Sequence, residues 1–370
     1  HLTKRSTYQK TLDYVDEIFT KFGVDAEYYP KENDELNRLV EEAVINDIEL
    51  VVRKARHVGT DKLKDVIHSF EKYLEKKGVD ILDKTEVVDI LIEKGKAKGV
   101  KTKDGKEILG KHILLAPGRV RARWLQDLAK KLEIDYVYDK VEVGVRVEFP
   151  SHIMKRQAET IYEMVYKVRS NTYHDIVRTF CSCPKGLVAR EDYEGYVCVN
   201  GHSNSDHQSK NSNFALLCEV NLTKPVENSI AYAKSIAEVA STIGGGKPIL
   251  QSLEDLRCGR RSTWSRLEKS FTDPSLEDVT PGDIAMALPY RIVQNIKEAL
   301  VKLDKVMPGI NSGSTLLYAP EVKFRSSKIS TNKKLETKIK GLYVAGDGAG
   351  LSGSITGAAV TGLLFAKGIK

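Results

Sequence analysis

The segment that most limits what this chain can become lies near its end, where "GLYVAGDGAG" (341–350) runs into "LSGSITGAAVTGLLFAKGI". Leu342 to Ala345 read as a buried strand, and a closing helix is predicted from about 355 to 367. Between them the chain must turn through Gly346, Asp347, Gly348 and Gly350. Glycine tolerates backbone angles and close approaches that a β-carbon forbids. The helix start near Gly353, Ser354 and Ile355 offers free amides and a positive dipole end, which suit an anionic or electron-rich group. Asp347 cannot hold a phosphate, since like charges repel, but it can accept hydrogen bonds from sugar or ribityl hydroxyls. One carboxylate for a polyol beside one helix start is an arrangement suited to a flavin nucleotide. A tight glycine turn with Asp347 as a helix cap explains the same residues.

A second element favours the nucleotide reading. "KHILLAPGRV" is a buried strand, Ile113 to Ala116, that ends in the small turn Ala116-Pro117-Gly118 ahead of a helix. It follows short alternating strands broken by "EKGK" and by the hairpin signal Asp104-Gly105, which together predict a three-stranded meander. A small turn at a sheet edge lets a dinucleotide cross at close range.

Composition sets the outer bounds. With 370 residues, 41% hydrophobic and 29% charged, the chain can build two cores. It contains no run of eighteen apolar residues and no secretory signal pattern, so a cytoplasmic location is expected. Five cysteines without a C-x-x-C pair argue against a disulfide framework or a zinc ribbon, and no metal site is expected. The net charge of +7 comes largely from lysines on helix faces, without an arginine block or a basic stripe interleaved with aromatics. That pattern argues against nucleic-acid binding and suits a small acidic substrate or nucleotide phosphates. Nothing in the sequence sets the oligomeric state.

The texture changes near residue 140. Helices and the meander give way to strand-rich sequence from Val141 to Leu222, then to helices at about 226–241 and 289–306. Strands return after "MPGINSG". The expected organisation is one domain over 1–139 that is completed by 308–370, with a mainly antiparallel domain over 140–307 between them.

Taken together, "ILLAPGR" and "LYVAGDGAG…GSITGAA" resemble the C-terminal part of FAD-dependent oxidoreductases of the glutathione-reductase fold class. "GTDKL", "VGVRVEFP", "FCSCPKGLV", "VNGHS" and "YAPEVKF" narrow the resemblance to the family labelled uncharacterised FAD-dependent dehydrogenases, over essentially the whole chain. The resemblance implies an α/β, Rossmann-like FAD-binding domain with an inserted antiparallel substrate or cap domain. It implies hydride transfer between an organic substrate and flavin N5, with NAD(P)H as a transient partner. A flavin-dependent tRNA-modifying protein and a flavin-binding module without turnover are the alternatives. Asp347 is then assigned toward the ribityl and pyrophosphate region, the helix start 353–355 near the flavin ring, and Gly118 near the adenosine half. Gly59, Thr60 and Asp61 join the cofactor pocket, and Thr3 and Arg5 approach the ring from the substrate side. The family's N-terminal G-x-G-x-x-G segment has no counterpart here, so an N-terminal part is expected to be absent from this chain.

Among the remaining candidates for reactivity, Cys181 and Cys183 stand two apart in "TFCSCPKG". On a regular strand they share a face and could exchange electrons with a flavin, although a lone C-x-C more often reflects packing. His202, Asp206 and His207 offer no third ligand at regular spacing and read as a solvated loop. Arg257, Arg260, Arg261 and Arg266 could hold a substrate carboxylate or a nicotinamide-cofactor phosphate, or pair with the acidic residues nearby.

Overall fold

A computed structural model describes residues 5–138, 140–193, 195–203, 208–220, 222, 228–323 and 327–369, with the backbone alone at 5–7, 60 and 61. The chain divides into two units. The first is built from His1–Asp25, Lys64–Asp139 and Arg325–Lys370, the second from Ala26–Leu63 and Lys140–Phe324.

In the first unit, strand Ile113–Leu115 lies parallel to strand Leu342–Val344, with Leu342 opposite Ile113 and Val344 opposite Leu115. The two strands singled out in the sequence are therefore neighbours. Parallel strands cannot be joined by a hairpin and need a crossover, and here the intervening chain includes most of the second unit. Each strand runs into a turn and then a helix, Ala122–Lys131 after the first and Ile355–Gly368 after the second. Leu125, Leu128 and Ala129 of the former pack with Ile113, Leu115, Leu342 and Val344 into one core. The expected meander is present as Val87–Glu93, Lys96–Thr102 and Glu107–Leu109, paired in that order. Helix Arg5–Lys21 packs against helix Ile355–Gly368.

The second unit is organised by an eight-stranded sheet, antiparallel except at one edge pair. Its order is Thr280–Pro281, Ile249–Ser252, Leu316–Lys323, Val141–Pro150, Asn211–Val220, Ile176–Cys183, Val165–Arg169 and Ile48–Val51. Two segments grouped with the cofactor domain in the sequence reading belong to this unit. Residues 48–51 pair with 165–168, and 316–323 pair with both 142–148 and 249–252. Strand pairing over long sequence separations is invisible to local pattern, which is why a return near 308 reads naturally from the sequence while the strand completing the sheet ends at 323.

"VEVGVRVEF" alternates cleanly, the usual mark of a strand with one face in water. The structure buries both faces. Val141, Val143, Val145, Val147 and Phe149 meet helices Ser229–Ile243 and Tyr290–Leu303 in the main core. Arg146 and Glu148 on the opposite face are fully buried, as are Asn213 and Glu321 on the flanking strands. That face is covered by the hairpin Leu187–Tyr193/Tyr196–His202, whose Val188 and Val199 pack with Leu316 and Tyr318.

Phe214 is completely buried, its ring centroid 5.2 Å from that of Phe149. Truncating it empties the apolar side of the central sheet. Phe214→Ala is expected to lower stability by about 3–5 kcal/mol, read as a drop in the urea midpoint.

Candidate functional site

Two clusters carry chemistry, one in each unit. In the first unit the turns 116–118 and 346–350 touch. A β-carbon on Gly348 would lie 2.5 Å from the Gly118 carbonyl oxygen and 3.0 Å from the Pro117 ring, so the turns close only because glycine stands there. The Gly346 amide donates to Thr361 Oγ1 at 2.9 Å, fastening the turn to the closing helix.

That helix is capped by Ser354, whose hydroxyl accepts from the Gly357 amide at 3.0 Å. Asp347 opens a single 3-10 turn, Asp347–Ala349, outside the helix, so the reading of Asp347 as its cap is overturned. Its Oδ1 is instead buried without a hydrogen-bond partner among the described residues. An unpaired buried acceptor costs about 1–3 kcal/mol, which a ligand hydroxyl would relieve. Gly353, Ser354 and Ile355 are exposed at the helix start, and Ala116 is exposed at the neighbouring turn. This donor and acceptor set fits a polyol-phosphate chain.

Gly59 lies in the second unit, with φ +84, directly before helix Thr60–Lys76. The side chains of Thr60, Asp61 and Arg5, and all of Thr3, Asp206 and His207, lie outside the described residues.

In the second unit the chemistry gathers around Arg146. Its Nε donates to Asn213 Oδ1 at 2.7 Å, and Nη1 lies 3.4 Å from Glu321 Oε1. Nη2 donates to the Cys181 carbonyl at 2.7 Å and to Cys183 Sγ at 3.2 Å. Lys323 Nζ stands 3.0 Å from the same Glu321 oxygen. Gly201 lies against the guanidinium, where a β-carbon would come 1.7 Å from Nη2.

Sequence spacing places the two thiols on one face of a regular strand, but the strand is irregular there. Phe180 pairs with Ala215 and Cys183 with Asn213, so Cys181 and Ser182 stand opposite the single residue Phe214, and Cys181 takes φ +48. This bulge, rather than the pleat, brings the Cys181 thiol onto Cys183, to which it donates a hydrogen bond. The donation and the nearby Arg146 hold Cys183 below the ordinary thiol range against the opposing effect of burial. Cys181 moves upward by the same hydrogen bond and by its own burial.

Beside this cluster lie groups that the sequence reading missed. Tyr162 has φ +65, and its ring is 4.1 Å from that of His57. Burial lowers His57 to about 4 and raises Glu163, whose carboxylate lies 3.9 Å from His57 Nε2 and accepts the Cys181 amide. Isolated His, Tyr and Glu residues carry no spacing signal. Arg146 had one, since a charged residue at the centre of a strongly apolar strand is unusual. The arginine cluster takes the ordinary reading at two positions: Arg260 pairs with Asp255 at 2.6 Å, and Arg257 donates to the Asn311 carbonyl at 2.8 Å. Among the described residues no group of His, Cys, Asp or Glu could hold a metal ion, and no helix is long and apolar enough to cross a membrane.

A family model described as "FAD-dependent protein, C-terminal domain-like" matches residues 140–324, half of the chain. The chain belongs to that family. The matched residues coincide with the long segment Lys140–Phe324 of the second unit, so the family domain contains the Arg146 cluster. An uncharacterised protein of Clostridium beijerinckii is 25% identical over 350 residues, 87% of this chain and 63% of the relative. The chain thus spans less than two thirds of that relative's length. Among solved structures, L-proline dehydrogenase from P. horikoshii aligns over 98% of this chain and 75% of its own, with 11% identity and a TM-score of 0.41. Glycine oxidase from Bacillus cereus aligns over 98% and 80%, with 13% identity and a TM-score of 0.36.

Two outcomes test this geometry. Arg146→Met leaves the buried Asn213 Oδ1 and the Cys181 carbonyl without their donor and Glu321 with Lys323 alone, and about 1–3 kcal/mol of stability is expected to be lost, measured by denaturant unfolding. His57 titrates near 6.5 when unfolded and near 4 when folded, so the unfolded chain binds the extra proton between these values. Its contribution is whole above about 6.5 and is lost as pH falls toward 4. His57→Gln is therefore expected to flatten the curve of stability against pH in that window.

Proposed function

We propose that this chain belongs to an FAD-dependent oxidoreductase acting on a small organic substrate, with NAD(P)H as a transient hydride donor. The buried, unpartnered Oδ1 of Asp347 carries the reading. Asp347 accepts hydrogen bonds from the cofactor's hydroxyls. The paired turns at Ala116, Pro117 and Gly118 and at Gly346, Gly348 and Gly350 admit the cofactor backbone. The amides at Gly353, Ser354 and Ile355 face its electron-rich part. When bound, FAD supplies a two-electron centre that takes or gives hydride at N5. The second unit serves the substrate. Its support is the grouping of His57, held neutral by burial, with Glu163, whose carboxyl burial raises, a proton acceptor beside a proton donor.

The full natural chain, purified from its host, is expected to be yellow with flavin bound noncovalently. Asp347→Ala removes hydrogen bonds to a charged acceptor worth about 1.5–3 kcal/mol, a roughly ten- to hundredfold loss of FAD affinity. Retention of FAD at wild-type stoichiometry by the variant would overturn the role given to Asp347. Anaerobic addition of NADH or NADPH is expected to bleach the flavin band of the wild type; an unchanged spectrum with both removes the nicotinamide donor from the scheme.

A further inference from the structure

Five cysteines differ sharply in surroundings. Cys198 and Cys218 are buried and their thiols are pushed upward by burial, Cys198 to about 12. Cys258 is exposed on a helix end. Only Cys181 and Cys183 sit together, and several observations there go beyond packing. Both lie on a bulge that a plain strand would not need, with Cys181 in a left-handed conformation that costs a non-glycine residue of order 1–3 kcal/mol. Cys183 Sγ, nearly buried, donates to the Cys181 carbonyl at 3.5 Å. Around it the buried charges do not cancel. Arg146 and the partly exposed Lys323 bring two positive charges and Glu321 one negative charge, so the surroundings favour a further anion. Cys183 Sγ, 3.2 Å from Arg146 Nη2, is placed to be that anion. Cys181 is the partly exposed member. One cysteine is partly exposed and the other lies against a buried guanidinium.

We propose that Cys181 and Cys183 form a redox-active dithiol that reduces small-molecule disulfides by thiol–disulfide exchange, with Arg146 positioning and stabilising the buried sulfur. Cys181 attacks first because it is the accessible sulfur. Its proton passes to the Cys183 thiolate as its sulfur bonds to one sulfur of the disulfide RSSR. The S–S bond of RSSR breaks, and the first thiolate leaves and takes a proton from water. Cys183 then attacks the Cys181 sulfur of the mixed disulfide, giving its proton to the second departing thiolate. One protein thiol, one protein thiolate and a proton from water have become one Cys181–Cys183 disulfide as RSSR becomes two RSH, so two electrons pass from protein to substrate. Arg146 returns to its partners Glu321 and Asn213. This chemistry needs only the second unit and does not depend on the flavin reading.

The test incubates the reduced full chain with oxidised glutathione, then alkylates, digests with trypsin and weighs the peptides. Cleavage after Arg178 and Lys185 yields one peptide, Thr179–Lys185, that holds both cysteines. It is expected to be lighter by two hydrogens and to resist alkylation, while exposed Cys258 gains a glutathionyl group and reports that the reagent acted. Cys183→Ser is expected to trap one glutathionyl group on Cys181, and Cys181→Ser to leave Cys183 unmodified. The proposal is overturned if the wild-type peptide stays in the dithiol form while Cys258 is modified. It is equally overturned if the peptide carries a stable glutathionyl group without internal disulfide formation.

Discussion

The second unit depends on the burial of one guanidinium. Arg146 is completely removed from water at the centre of an eight-stranded sheet, and transferring such a charge to the interior costs several kcal/mol unless it is matched. Four neighbours match it: Asn213, the Cys181 carbonyl, Cys183 and Glu321. They come from three strands far apart in sequence, and Gly201 of the covering hairpin leaves room for the guanidinium. The same polar face that would be solvated in an ordinary antiparallel sheet becomes an interior. Arg146 stays charged there because Glu321 and a set of acceptors hold it.

Burial also explains why reactive groups collect there. A low-dielectric interior enlarges every local electrostatic difference, so a neutral His57, a raised Glu163 and a lowered Cys183 coexist close to one another. Glu148 shows the opposite resolution of the same problem. It is fully buried with no cation paired to it among the described residues, its carboxyl is raised by burial, and it is held by Tyr318 Oη at 2.5 Å and by the Ser275 amide at 3.1 Å. The first unit works by a different principle, close approach. Two turns that end parallel strands meet through the absent side chain of Gly348, and one carboxylate oxygen is left without a partner beside them.

Local elements were legible to within a few residues. The closing helix, expected over about 355–367, is Ile355–Gly368, and the helix expected over 289–306 is Tyr290–Leu303. Apolar periodicity, capping serines and glycine turns act over short range, so they are written in neighbouring residues. The two turns of the first unit were legible for the same reason, and their contact followed from each ending a strand of a parallel pair. The geometry of Cys181 and Cys183 was only half legible. Spacing announced the pair, but the bulge that joins the thiols is set by the register of Asn211–Val220, a strand some thirty residues away.

The sequence by itself determined the elements, the paired turns and the mixed α/β class, because those follow from the local chemistry of glycine, proline and apolar alternation. Tertiary structure alone decided that the polar face of Val141–Pro150 is an interior, that 48–51 and 316–323 complete its sheet, and that Arg146 meets Cys183. The physical reason is that burial and charge pairing are properties of a neighbourhood. That neighbourhood exists only after strands distant in the chain have come together.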